Sequence, residues 1–272
     1  ASDWSSDVCS SDLAVQKTVS VVSKPKGFFR IMLKMPLRSG IVKTQVYDSV
    51  YTETSERPVA DGRKRRKHME IIWHGHSCFT VRTEAGSVVF DPYEDGKIPG
   101  LGPLRLKADA VLCSHEHGDH NFREGVALSE EAFTGEIEEI PSWHDDVQGA
   151  KRGPNTIHVI RAEGMKLVHL GDLGTELDAE QIETLRIPDV LLIPIGGFYT
   201  IDTKQALKIV DELSPRITVP MHFRRGDVGF DVLSTAEEFL KKCPNPVVYP
   251  GNTLTVDPET PAQTAVLQLR KN

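Results

Sequence analysis

"SHEHGDHN", Ser114 to Asn121, carries three histidines and two acids in eight positions. A solvated turn is often this polar, but three imidazoles together call for a different chemistry. Histidine binds metals through a neutral ring nitrogen. Directly upstream, "ADAVLCS" (Ala108–Ser114) reads as a buried strand that runs into the cluster. His115 and His117 stand two apart, so in an extended segment both point to one side. Gly118 allows a sharp turn, after which Asp119 and His120 come round to a second point. One short segment can then feed two adjacent metal positions. Four-coordinate zinc takes N and O ligands at about 2.0–2.2 Å, and a catalytic ion keeps a position for water.

Two positions need more donors, and these recur at predicted strand ends. "IPSWHDD" offers His144, "LVHLGD" offers Asp172 and "VPMHF" offers His222. In α/β proteins the loops at strand ends are where functional groups gather. Asp91, in "FDPY", is read as an acid that orients a ligand histidine rather than as a ligand itself. His158 and His169 fall on a predicted hairpin and read as packed or surface residues. His169 lies three residues before Asp172, so it could only support that turn. His74 reads as structural, and Cys113 as a small core residue.

The composition is that of an ordinary globular chain: 272 residues, 39% hydrophobic and 26% charged. No apolar run approaches the roughly 20 residues that span a bilayer. Cys9, Cys78, Cys113 and Cys243 are scattered and form no CxxC pair, which suits a reduced, cytoplasmic protein. Charge is uneven. Residues 1–68 hold 13 basic and 7 acidic side chains, and residues 69–272 hold 19 and 32. The acidic excess of the larger part argues against a nucleic-acid partner.

The first 68 residues differ from the rest. "SSDVCSSDL" repeats a Ser-Ser-Asp unit around Cys9, and residue 1 is not Met. This part is expected to be a non-native or disordered leader. No secretory signal pattern stands in it. "FFRIMLKMPL" (Phe28–Leu37) reads as a short amphipathic stretch, and "RKRRKH" (Arg63–His68) as a solvated basic linker. From Met69 to residue 272 a single domain is expected. "MEIIW", "SCFTVRT" and "SVVFDPY" are strand-like, and "TIHVIRAEGMKLVHLGD" is a hairpin turning at Glu163-Gly164. "DVLLIP" and "RITVPMH" are further strands. Helices are predicted over "DAEQIETLR", over "TKQALKIVDEL" with Asp202 or Thr203 as cap, and over "STAEEFLKKC" with Ser234 as cap. "TAVLQLR" is expected to close the sheet. Strands alternating with helices imply an α/β layered core.

The order of these motifs resembles the metallo-β-lactamase fold superfamily of metal-dependent hydrolases. "HEHGDH" is similar to its HxHxDH signature, followed by the lone third histidine, the LGD turn and the late strand-end histidine. "WHGHSCF", "FDPY", "HDDVQGAKRGPNTI", "HLGDLG" and "PIGGFYTID" resemble the small, single-domain branch related to ascorbate-6-phosphate lactonase. The likeness covers roughly residues 69–270. It implies a four-layer αββα sandwich with two divalent ions at one edge. His115, His117 and His144 would hold one ion, Asp119, His120 and His222 the other, and Asp172 would bridge them. His76 matches a position near the site, with a supporting or substrate-contacting role.

Two ions about 3.5–4 Å apart would share a hydroxide and polarise the scissile bond, so no serine or cysteine nucleophile is needed. Asp119 would both bind an ion and orient the nucleophile; His76 and Asp91 complete the catalytic set. Zinc is the expected metal, with Mn2+ or Fe2+ as alternatives set by supply. The expected substrate is a small ester, lactone or phosphorylated metabolite. For an anionic substrate, Arg152 on the loop "GAKRGPN" is the preferred cation, with Tyr199 of "GGFYTID" beside it. A phosphodiesterase or nuclease of the same fold, and a catalytically inactive metal-binding relative, are the rival readings. The acidic charge and the short domain weigh against the first. The complete set of seven ligand positions weighs against the second.

Overall fold

The computed structural model describes residues 18–24, 28–36, 42–50 and 67–269. The chain divides into two compact units between Lys64 and Arg65. In the first unit, β1 (Thr18–Lys24), β2 (Phe28–Pro36) and β3 (Val42–Val50) form an antiparallel meander in that order. This is the part that the sequence marks off as a leader. The stretch Phe28–Leu37, read there as amphipathic, contributes the central strand. Its pattern suits a strand: Phe29, Ile31, Leu33 and Met35 alternate with Arg30 and Lys34, a period of two. The repeat around Cys9 lies outside the described residues.

The second unit is built on two sheets. β4 (Met69–Gly75), β5 (Cys78–Thr83), β6 (Gly86–Phe90) and β8 (Ala110–Leu112) lie in one, after a short β7 (Leu106–Ala108) that pairs instead with β9 (Val126–Leu128). The predicted strand Ala108–Ser114 is thus split at Asp109. The other sheet contains β10 (Glu136–Trp143), β11 (Pro154–Ala162), β12 (Met165–His169), β13 (Val190–Pro194) and β14 (Ile217–Met221). Three later strands complete them: β15 (Pro246–Val248) and β17 (Gln263–Val266) in the larger, and β16 (Thr253–Val256) beside β4 in the smaller. The larger sheet runs β10-β11-β12-β13-β14-β17-β15 and the smaller β16-β4-β5-β6-β8.

Helices α1 (Ala179–Leu185), α2 (Thr203–Leu213) and α3 (Glu237–Lys242) follow β12, β13 and β14. β12, β13 and β14 are parallel neighbours joined through α1 and α2, and the two helices contact each other. All five residues of β13 and of β14 are buried, as strands covered on both faces must be. In α2, Ala206, Ile209, Val210 and Leu213 give the buried stripe. Asp178 and Asp202 each close a capping box with the glutamine three residues on. Ser234 does not cap α3; the helix starts at Glu237 without a side-chain cap, and the Ser234 amide donates to the Gly196 carbonyl. Nor does β17 close the sheet, because β15 pairs on its outer side.

The sheets pack face to face. Ile71, Phe79 and Val81 of the smaller join Leu167, Leu191 and Ile193 of the larger in one core. The outer layer of the smaller sheet is irregular chain rather than long helix: Tyr93, Ile98 and Leu104 cover Cys78 and Val89. This is the expected α/β sandwich. No described helix is long and apolar enough to cross a membrane.

Candidate metal centre

β4, β6 and β8 run in one direction, as do β10, β12, β13 and β14, so their C-terminal ends define one edge of each sheet. All of them but β13 contribute a side chain at the end. His76 follows β4, Asp91 follows β6, Ser114–His120 follow β8, His144 follows β10, Asp172 follows β12 and His222 follows β14. His76, Asp91 and His222 each have positive φ, at 51°, 44° and 51°. Such conformations are strained for residues with a Cβ and persist where the surroundings hold them. Here three strands turn over one point. Close approach also demands glycine: a Cβ on Gly196 would strike the His222 carbonyl oxygen.

The seven predicted donors come together in two groups. One atom each of His115, His117 and His144 lie within 4.8 Å of one another, and so do atoms of His76, Asp119, His120 and His222. Asp172 Oδ2 lies between, 3.5 Å from His144 Nε2, 3.2 Å from His120 Nε2 and 3.1 Å from His222 Nε2. His115, His120, His144, Asp172 and His222 are buried, and His117 is exposed. His115 Nε2, His120 Nε2 and Asp172 Oδ1 are buried with no hydrogen-bond partner. Unpaired buried polar atoms are costly unless something else satisfies them. Neutral imidazoles around carboxylates, with lone pairs left over, fit divalent cations of the zinc type.

Electrostatics agrees with that use at His115 and His144, whereas burial lowers His120 but the Asp172 and Asp91 carboxylates outweigh it and raise its imidazole well above the usual range. Burial holds the His115 imidazole down at about 3, and His144 is lowered for the same reason. Burial works against charge on Asp172, yet His120 and His222 hold its carboxyl well below the usual range. The Asp119 carboxyl is likewise low despite burial, with His76 and His120 beside it.

A second set of contacts aims the donors. Asp91, fully buried, accepts from the Ser114 amide (2.7 Å), the Ser114 hydroxyl (2.7 Å) and His120 Nδ1 (2.8 Å). With its Nδ1 held by Asp91, His120 turns Nε2 toward Asp172 in the cluster. Ser114 Oγ also lies 2.9 Å from His115 Nδ1. Asn155 Oδ1 accepts from the Asp172 amide (2.8 Å), while its Nδ2 donates to Leu170 O and Ser142 Oγ. His169 Nδ1 accepts from the Gly171 amide and its Nε2 meets Ser77 O, so it supports the Asp172 turn and cannot reach the cluster's centre. His158 is buried beside Phe90, and His74 bonds Thr80 Oγ1 at 2.8 Å.

The roles of Asn155 and Asp145 were missed in the sequence. Asp145 directly follows a ligand position, and its carboxylate accepts from the amides of Val147, Gly149, Lys151 and Arg152 at 2.7–2.9 Å. An acid followed by a glycine-containing loop was the available signal. Asp145 folds this loop back so that Arg152 donates from Nη2 to Phe198 O (3.1 Å), with its guanidinium 5.5 Å from the Tyr199 ring centre. Tyr199 lies 6.0 Å from Phe230, and Phe230 5.6 Å from His76, ring centre to ring centre. Arg152 and Tyr199 are thus linked to His76 through the ring of Phe230.

A two-sheet sandwich with a histidine–aspartate centre at one edge defines a metallo-hydrolase class. The family described as beta-lactamase superfamily domain matches residues 70–222, and the chain belongs to it. It is a metal-dependent hydrolase of the metallo-β-lactamase superfamily. A UPF0173 metal-dependent hydrolase of Thermoplasma acidophilum is 30% identical over 194 residues, covering 60% of this chain and 86% of that relative. One from Opitutus terrae is 29% identical over 228 residues, covering 69% of this chain and all of the relative. A Thermotoga maritima structure assigned to the Zn-dependent hydrolases of the metallo-β-lactamase superfamily superposes with a TM-score of 0.61 at 30% identity, over 74% of this chain and 100% of that one.

Proposed function

We propose that this chain hydrolyses a small anionic ester, lactone or phosphorylated metabolite in the cytoplasm, using two divalent ions, zinc by preference. The observation that carries the reading is the sharing of Asp172 between two histidine clusters. Divalent ions bound there would polarise a carbonyl or phosphoryl oxygen and make water nucleophilic near neutral pH. The protein's own residues do the rest. His115, His117 and His144 would hold one ion, and Asp119, His120 and His222 the other. Asp119 has the more open of the two carboxylates, with 18% of its side chain exposed against 2% for Asp172. Ionised, it would orient the attacking water. Arg152 and Tyr199 bind the anionic end of the substrate. A cysteine nucleophile is disfavoured by environment: burial pushes the Cys113 thiol up to about 12 and Cys78 higher than its usual value. The acidic excess of residues 69–272 supports a small substrate over a long polyanion.

The test is a panel of lactones, carboxylic esters, phosphomonoesters and phosphodiesters, run with zinc-loaded and with chelated protein. Zinc-dependent turnover of a small anionic member is the expected result. Turnover that survives chelation, or activity confined to oligonucleotides, would overturn the proposal.

A further inference from the structure

One donor of the second cluster lies outside the seven expected ligands. His76 is 3% exposed, and neither of its ring nitrogens has a hydrogen-bond partner. Its φ of 51° is fixed from outside: the His76 carbonyl accepts from Trp73 Nε1 (2.9 Å) and from the His222 amide (3.3 Å). The ring lies 3.9 Å from the His222 ring, centre to centre. A buried polar ring in a strained backbone with no partner needs a reason.

Distances supply one. Contacts that orient ligands are hydrogen bonds at 2.7–2.9 Å, such as His120 Nδ1 to Asp91 and Ser114 Oγ to His115. His76 Nε2 stands 3.5 Å from Asp119 Oδ2, and His120 Nε2 stands 3.7 Å from the same atom. Two neighbouring donors of one ion, each at about 2.1 Å and separated by roughly 90–120°, lie about 3.0–3.6 Å apart. His76 therefore keeps the spacing of a fellow donor and not that of a hydrogen-bond partner.

We propose that His76 is a direct ligand, through Nε2, of the ion held by Asp119, His120 and His222. That position then has four donors of its own besides Asp172, against three for the position of His115, His117 and His144. The four-donor position is the tighter one. The three-imidazole position, with exposed His117, is expected to exchange faster. This rests on the two-ion reading above, and the experiment separates the two.

Zinc per chain is measured on the purified full chain, and zinc-bound ring nitrogens are counted by NMR of 15N-histidine-labelled protein. Two zincs and six shifted histidines of the ten are expected. Two zincs with only five shifted histidines overturn the role of His76 alone. Fewer than two zincs at saturation overturn the two-ion reading itself. In parallel, His76→Asn, which tolerates the left-handed backbone, is titrated against a chelator. At least a tenfold loss of affinity at the tighter position is expected, with an altered visible spectrum of the cobalt form. Affinities within threefold of the parent and an unchanged spectrum overturn the proposal. If the variant does not fold, the histidine count on the parent decides.

Discussion

Replacing Asp91 by asparagine isolates how a buried acid sets a ligand's ring. The exchange keeps size, and asparagine accepts the φ of 44° found there. Asp91 receives three hydrogen bonds, from the Ser114 amide, the Ser114 hydroxyl and His120 Nδ1. An amide offers one oxygen. If that oxygen takes the Ser114 amide, the NH2 group faces His120 Nδ1. The His120 proton is then driven to Nε2, the atom 3.2 Å from Asp172 that must present its lone pair to an ion. Loss of one charge-assisted bond costs about 1.5–3 kcal/mol, or roughly 10–150-fold in an equilibrium constant. That agrees with the 10–100-fold typical of groups supporting a metal ligand. The assay is chelator competition for zinc, with melting of the chelated protein run beside it to detect a folding defect. Asp91→Asn is expected to weaken one ion about 10–100-fold and leave the other nearly unchanged. Unchanged affinity for both ions would refute the orienting role. Complete loss of both would make Asp91 a ligand.

Asp172→Ala should abolish activity and tight binding of at least one ion, because its carboxylate faces both clusters; zinc analysis that still finds two ions per chain contradicts this. Arg152→Ala should raise KM for an anionic substrate about tenfold or more with metal content unchanged, and equal kinetics on anionic and neutral substrates would place the anion contact elsewhere. His158 gives a pH prediction. It is 1% exposed, and burial lowers its pKa from 6.5 to about 4, although Asp91 pulls the other way. The unfolded chain then binds the extra proton, so this contribution to stability is complete above the unfolded value and falls as pH drops from 6.5 through about 4. At pH 5 the loss is about 2 kcal/mol relative to pH 8. In chelated protein, the stability difference between His158→Phe and the parent should shift by about that much in the variant's favour on going from pH 8 to pH 5. Parallel pH curves for the two proteins would refute it.

The candidate donors were legible in the chain because their chemistry is local. "HEHGDH" needs only a preceding strand and one glycine to aim four donors, and His144, Asp172 and His222 each mark a strand end. The hairpin at Glu163-Gly164 and the caps of α1 and α2 were equally plain, since turn and capping signals act over a few residues. β10 was not legible: "EIEEIPSW" carries three glutamates and a proline, and it holds as an edge strand through eight pairings to β11. The split at Asp109, the uncapped start of α3 and the place of β15 outside β17 also depend on partners far along the chain. So does the grouping of the donors. Which histidines share a cluster, and that His76 stands in one of them, follows only when β4, β8, β10 and β14 bring their C-terminal ends to one edge. That alignment belongs to the packing of two sheets, and no short stretch of the sequence encodes it.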